Sequence, residues 1–446
     1  MLGRLDLDTS NVFVIVEPFV VLMTGPLLLF PTVRPLWTAI ALVALVTVWL
    51  ARWIVRREPW PVTPFNGALL VFALMIPVGI WASAFPDLTL DKATGLVLGP
   101  AVFRAVVFSV RDRRSLAWTV AAFGGLGVAI VAVGLVSAEW LDKIAAVTII
   151  ARHIPRLIES LPGSRSVGVA PNQIAAVLAL YLPPALTFVL VSWFRPVRAP
   201  KTWIIRIISG FSLLFVGSAL LLTQSRSGWM GGIAGIIVVA ALWALSDRRR
   251  VIRRLAWGGT VLLLASSTGL LLRLGPERLG QLMLGTDPSA AALGTMVGGL
   301  NTWSFRVDVW RTAVYAVQDF MFTGCGLGTF REVARLLYPL PSISPSYDIA
   351  HAHNIFLQTA LDLGMAGLIG YLALLGIAAN TCRQRARAGG PLTRALCVGL
   401  VAGLVGLHVY GLTDALALGA KPGIAFWLAL GLVAAVARQT LDLPEA

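Results

Sequence analysis

Long apolar runs alternate with short polar clusters along this chain. Many of the runs are roughly 18 to 24 residues long, the length a helix needs to cross the hydrocarbon core of a bilayer. The pattern predicts twelve spans, at 11–30, 36–54, 65–84, 93–110, 116–138, 172–194, 204–223, 228–245, 255–272, 354–379, 395–416 and 423–437. Several contain Pro or Gly, which membrane helices tolerate where neighbours satisfy the backbone. The expected fold is an all-α integral membrane protein of about twelve transmembrane helices, one polytopic domain over residues 1–446.

Composition excludes the other classes. Of the 446 residues 57% are hydrophobic and only 13% charged, and the mean hydropathy is +0.83. A soluble domain carries about 25% charged residues, and a disordered chain carries far less apolar surface. The net charge of +15 does not point to nucleic acid, because the basic residues sit between apolar runs, where they report membrane orientation. With a cytoplasmic N-terminus, 21 of the 36 Lys and Arg fall in inner segments, in clusters such as RWIVRR (52–57), RDRR (111–114) and RQRAR (383–387). The short outer loops hold only Arg34, Lys92, Arg226 and Lys421. Both termini are therefore expected in the cytoplasm. The opening MLGRLDLDTS lacks the basic region of a cleaved signal peptide, so the first run is expected to stay as a helix. Cys325, Cys382 and Cys397 form no C-x-x-C pair and no disulfide framework.

Two outer segments are long, 139–171 and 273–353. In the first, Trp140, Ile144, Val147, Ile154 and Ile158 follow helical spacing and predict an interfacial helix, kinked or divided at Pro155. In the second, Trp303, Val307, Trp310, Val314 and Val317 predict an amphipathic helix packed on the membrane domain.

Candidate chemistry collects at helix ends on the outer side. Arg226 lies in LTQSRSGWMGG (222–232), where a span begins, and Ser225 belongs to the same turn. A helix start offers unpaired N–H groups and partial positive charge, and a guanidinium adds a fork that suits phosphate. Arg306 and Arg311 flank Asp308 in SFRVDVWR (304–311). HAHNIFLQTALDLGMAGLIGY (351–371) places His351, His353 and Asn354 at another helix start, where a neutral imidazole able to accept a proton is favoured. No metal is expected, since the sequence offers no third histidine nearby and no outer cysteine cluster. Asp414 and Asp362 are costly carboxylates inside or near spans and call for partners, and Glu17 and Arg104 can pair with each other.

These motifs resemble the bacterial O-antigen ligase and polymerase superfamily of multi-pass, GT-C-like glycosyltransferases. The resemblance rests on SRSGW after an apolar span, the SFR…W helix, DFMFTGCGLGTF (319–330) and, above all, HAHNIFLQTALDLGMAGLIGY, with GVAPNQIAAVLAL (168–180) adding to it. Asp362 stands where that family commonly has glutamate. The resemblance implies an enzyme of the bacterial inner membrane, acting on its periplasmic face. It would move a glycan from undecaprenyl pyrophosphate to a sugar hydroxyl of lipid A core, with inversion and without metal or other cofactor. Polymerases and protein O-oligosaccharyltransferases share the donor; the long outer segment before His353 most resembles the ligase arrangement. His353 is then the expected catalytic residue and Arg226 and Arg306 the pyrophosphate-binding cations, with His351, Asn354, Asp414, Ser225 and Arg311 in support. The rival class is a lipid-linked glycan transporter. That class often shows an inverted repeat, and none is visible.

Overall fold

The computed structural model describes residues 9–140, 145–158, 170–194, 201–246, 303–340 and 348–439, with three isolated helical positions at 258, 265 and 269. Ten helices among the described residues are long and apolar enough to cross a bilayer. They are α1 (Thr9–Leu29), α2 (Pro35–Arg56), α4 (Pro86–Ser109), α5 (Arg113–Ser137), α7 (Pro171–Phe194), α8 (Lys201–Leu222), α9 (Arg226–Ser246), α12 (Ile355–Ala388), α13 (Pro391–Tyr410) and α14 (Ile424–Arg438), the last entered through a 3₁₀ turn at Lys421–Gly423. The expected span at 65–84 is α3 (Asn66–Trp81), a shorter apolar helix of 16 residues. The expected span at 255–272 lies outside the described residues apart from positions 258, 265 and 269. Three short helices, α6 (Ala145–Ala151), α10 (Trp303–Asp319) and α11 (Phe330–Leu337), belong to the two long connecting segments. The protein is an all-α integral membrane protein, as the hydrophobic pattern predicts.

Local signals explain the helix ends. Proline opens α2, α4 and α13 at a position where its missing N–H costs nothing. Asp112 closes a capping box on α5, its carboxylate accepting from the Ser115 amide at 2.7 Å while the Ser115 hydroxyl accepts from the Asp112 amide at 3.0 Å. Outward faces carry large aliphatic residues, with Leu22 67%, Leu36 72% and Leu214 70% exposed. In water so many would be costly; in lipid tails they are at home.

Inside the bundle, α13 packs against α7 and α9, α12 against α3, and α4 against α1 and α14. Glycine lets the first contact close. A methyl at Gly403 or Gly406 would sit 2.2 Å from the Leu180 carbonyl oxygen or 2.6 Å from that of Ala179, so α13 and α7 touch backbone to backbone. Beside them Phe72, Trp427, Phe426 and Tyr371 form a chain of ring contacts 5.5 to 5.6 Å apart.

Three expectations change. Of the expected interfacial helix the described residues show α6, Ala145–Ala151, and nothing helical beyond it toward Pro155. It ends before Pro155 because a proline disfavours helical geometry in the residue before it and supplies no N–H. The amphipathic helix forms as α10, but its buried face is Phe305, Val309, Ala313 and Ala316, while Val314 is 42% exposed. Small alanines allow the close contact with α12 and α11 that Trp and Val spacing does not reveal. The span read at 395–416 ends at Tyr410, which leaves Asp414 in a loop.

The helix read at 354–379 is broken. At Gly364 the backbone turns to φ 67° and ψ 179°, and the 320–329 loop fills the break. The Met365 amide donates to the Met321 carbonyl at 2.8 Å, and the Cys325 amide to that of Leu361 at 2.8 Å. Gly324, Gly326 and Gly328 of this loop all have positive φ, which side chains resist.

Candidate active site

The α8–α9 turn is tight and polar. Gln224 closes α8 in left-handed geometry at φ 49°, and the Ser225 hydroxyl caps α9 by accepting from the Gly228 amide at 3.3 Å. Ser225 is buried and serves the helix end, while Arg226, the first residue of α9, is exposed. Two contacts tie this turn to other segments. Gln224 donates to the Thr148 hydroxyl of α6 at 3.4 Å, and Thr413 donates to the Ser227 hydroxyl at 2.8 Å.

The next residue after Thr413 is Asp414, and it leads to the histidines. Asn354 caps α12 by accepting from the amides of Phe356 (2.9 Å) and Leu357 (3.1 Å). Its own amide donates to the Leu412 carbonyl at 3.2 Å, and the Ile355 amide to that of Gly411 at 2.7 Å. These bonds clamp the 351–354 loop onto the 410–414 turn. As a result, His351 Nε2 and His353 Nδ1 each lie 3.5 Å from one oxygen of Asp414, with the two rings 4.4 Å apart.

The hydrogen-bond roles set the tautomers. The His353 amide donates to His351 Nδ1 at 3.2 Å, so the proton of a neutral His351 belongs on Nε2, facing Asp414. His353 turns Nδ1 toward the same carboxylate at 3.5 Å, beyond a well-formed hydrogen bond, so a proton on Nδ1 would face Asp414 and leave Nε2 as the basic atom. Burial pushes the His351 imidazole down to about 4 despite the nearby Asp414 carboxylate. Burial alone raises Asp414, but the two imidazoles outweigh it and hold the carboxyl at about 2. At neutral pH the arrangement is therefore an anionic Asp414 behind a neutral His351. The His353 side chain is 21% exposed, so a reactant can reach it. Its backbone has φ 49°, uncommon for a residue with a side chain and costing about 1–3 kcal/mol. The loop is held so by α10, whose Trp310 indole donates to the His353 carbonyl at 3.2 Å and whose Phe305 ring meets the imidazole edge-on at 5.5 Å.

Arg306 follows Phe305 on α10. Its guanidinium and the Asp414 carboxylate both act electrostatically on the Tyr410 phenol, and its Nε is buried without a hydrogen-bond partner. Arg311, one turn on, is exposed. One end of the bundle thus holds His351, His353, Asn354 and Asp414 in mutual contact, joined by Thr413 to the turn of Ser225 and Arg226 at the start of α9 and by Phe305 to the helix that carries Arg306.

Sequence reasoning missed Lys92, Arg331 and Tyr410. Lys92 and Arg331 both act on His351 electrostatically. The Lys92 stem passes Gly328, where an added methyl would lie 2.8 Å from its Cγ, and Arg331 pairs with Asp348 at 3.1 Å. The available signal was that Lys92 is one of few cations in the short outer loops. A cavity of about 400 Å³ opens beside Lys92, with Lys421 and Asp91 also on its largely apolar wall. Asp362 finds its partners in the Gly328 amide and the Gln358 side chain, each at 2.9 Å. Gln358 in turn accepts from the Ala352 amide at 2.9 Å, between the two histidines. The L-Q-x-x-x-D spacing thereby locks the glycine loop to the histidine loop.

The expectation of no metal rested on the want of a third ligand. Asp414 supplies one, since single donor atoms of His351, His353 and Asp414 lie within 4.8 Å of one another, a spacing that a divalent ion can bridge.

No curated protein matches the chain. Residues 211–372, from α8 through the break in α12, match the family model described as O-antigen ligase. That stretch includes Arg226, Arg306 and both histidines, and it supports ligase- or polymerase-type function. The sequence motifs agree with the match: residues 211–372 are similar to the O-antigen ligase family.

Proposed function

We propose that the protein is a membrane glycosyltransferase of the O-antigen ligase type. It moves a glycan from undecaprenyl pyrophosphate to a sugar hydroxyl of lipid A core, on the periplasmic face of the bacterial inner membrane. The observation that carries this reading is His353 backed by Asp414, packed against Phe305, the residue before Arg306 on α10, and joined through Thr413 to the Arg226 turn. His353 Nε2 takes the proton of the acceptor hydroxyl as that oxygen attacks the anomeric carbon. The bond from the anomeric carbon to the pyrophosphate oxygen breaks, and its electron pair leaves with undecaprenyl pyrophosphate. One displacement inverts the anomeric centre. The leaving group gains negative charge, which Arg226, Arg306 and the N–H groups at the start of α9 stabilise. Asp414 holds the His353 proton on Nδ1 and offsets the imidazolium that forms. The apolar cavity beside Lys92 supports a place for the prenyl end of the donor. The mechanism needs no metal, because the cations it calls for are guanidinium groups. Both termini lie in the cytoplasm on this reading.

The test is glycan transfer by purified protein from the lipid-linked donor, with lipid A core, a second lipid-linked repeat or a protein acceptor offered in turn. His353→Ala and Arg226→Ala are expected to abolish transfer at normal protein levels. Asp414→Asn is expected to slow it by roughly 10²-fold or more. Wild-type transfer is expected to persist in a chelator. Near-normal transfer by both alanine variants would defeat the proposal, and loss in chelator restored by Zn²⁺ or Mg²⁺ would replace its metal-free step.

A further inference from the structure

A second cavity, of about 950 Å³, lies at the other end of α4 from Lys92. Eighteen residues of helix separate Lys92 from Val110 on its wall, roughly 27 Å at 1.5 Å per residue. Its lining comes from the ends of α2, α4 and α14 and the start of α5. Six arginines line it, Arg52, Arg56, Arg111, Arg113, Arg114 and Arg438, against the two carboxylates Glu58 and Asp112. Asp112 already serves the α5 cap. The excess of positive charge is therefore large and concentrated.

Three features make this a built site rather than a solvated basic rim. Arg52 has a side chain only 5% exposed, yet its Nε and Nη1 lack hydrogen-bond partners. Its Nη2 donates to Glu58 at 3.0 Å, and it shares buried Glu17 with Arg104 at an ion-pair distance of 3.5 Å. Three guanidinium groups crowd one ring, with those of Arg52, Arg104 and Arg438 lying 3.3, 5.1 and 6.0 Å from the centre of Phe108. Arg113 and Arg114 open α5, where the helix end is itself partly positive and cations are disfavoured. Glu17, Glu58 and Asp112 offset part of this charge and the ring contacts favour cations, so the guanidinium groups are held together with positive charge left over for an anion.

We propose that this cavity binds a phosphate-bearing anion, on the face of the protein opposite the His353 cluster. Guanidinium forks match phosphate oxygens in pairs. The volume exceeds a single inorganic phosphate and falls in the range of small-ligand sites, about 300–1,000 Å³. Phospholipid headgroups and soluble diphosphates share this chemistry. Basic pockets between membrane helices on the cytoplasmic side take the former, and the charge pattern assigns this end to that side.

Full-length protein is placed in phosphatidylcholine nanodiscs, in nanodiscs that add phosphatidylglycerol, and in phosphatidylcholine nanodiscs with inorganic pyrophosphate. Binding is read by native mass spectrometry and by the shift in thermal midpoint. The triple variant Arg56→Gln, Arg113→Gln, Arg114→Gln alters only exposed side chains and is expected to fold. Wild type is expected to bind saturably, with the variant weakened by about tenfold or more. Retention of phosphatidylglycerol assigns the site to a lipid headgroup; a response to pyrophosphate in phosphatidylcholine assigns it to a soluble anion. Binding of neither probe, or equal binding by wild type and variant, overturns the proposal.

Discussion

His351 and His353 are two residues apart and share one carboxylate, but they do different work. His351 is fixed on both nitrogens, by the His353 amide and by Asp414, whereas His353 turns one nitrogen to Asp414 and is held by its backbone. The half-buried His351 resists protonation, and this has a consequence for stability. Its value is about 4 in the folded protein against 6.5 for a free imidazole, so the unfolded chain binds more protons between those limits. Stability then rises with pH through that window and is lost as pH falls from 6.5 toward 4, by an amount on the order of 3 kcal/mol. Thermal unfolding at pH 7 and pH 5 is expected to show a larger drop for wild type than for His351→Gln. Equal drops would mean that His351 is as free to ionise folded as unfolded. The H-x-H-N signature made these histidines visible in the sequence. Lys92 and Arg331 were not visible as their neighbours, because nothing in local spacing brings α4 and α11 to one loop.

The broken α12 shows what a hydrophobic pattern omits. Residues 354–379 are apolar at membrane length, and the hydrophobic pattern reads them as one uninterrupted span. The break follows from the fit of two remote glycine positions, Gly364 and the 324–328 loop, with carbonyl and amide groups of each satisfied by the other. The sequence did carry the trace, in DFMFTGCGLGTF and LDLG, but as motifs and not as a conformation. An alanine at Gly364 must adopt φ 67° and place its methyl 2.5 Å from the Phe322 carbonyl oxygen. That combination of φ 67° and ψ 179° is essentially confined to glycine and alone costs a side chain about 1–3 kcal/mol. Gly364→Ala is expected to lower the thermal midpoint and glycan transfer together, because the same break seats Asp362, Gln358 and the histidine loop. Gly376→Ala in the same helix meets nothing within 4 Å and is the control, expected to change neither. A fall in both variants alike would place the effect in helix packing at large rather than in the break.

Among the described residues, charged groups gather at two ends of the bundle and in one interior set, and the interior set decides between enzyme and transporter. Glu17 and Arg104 are fully buried and paired, with Arg52 sharing Glu17. A transporter uses intramembrane charges as a path, and each must then be chemically indispensable. A packing role makes a different demand, that no charge be left alone. Glu17→Gln strands Arg104 and is expected to cost about 3–5 kcal/mol, seen as loss of protein from the membrane. Replacing both, as Glu17→Leu with Arg104→Met, removes the stranded charge, and such swaps of buried pairs are often neutral or stabilising. Arg52 keeps Glu58 at 3.0 Å in that variant. The double variant is therefore expected to accumulate normally and to retain transfer. If it accumulates but no longer moves glycan, the pair takes part in function, and the charges at its two ends belong to one route through the bilayer.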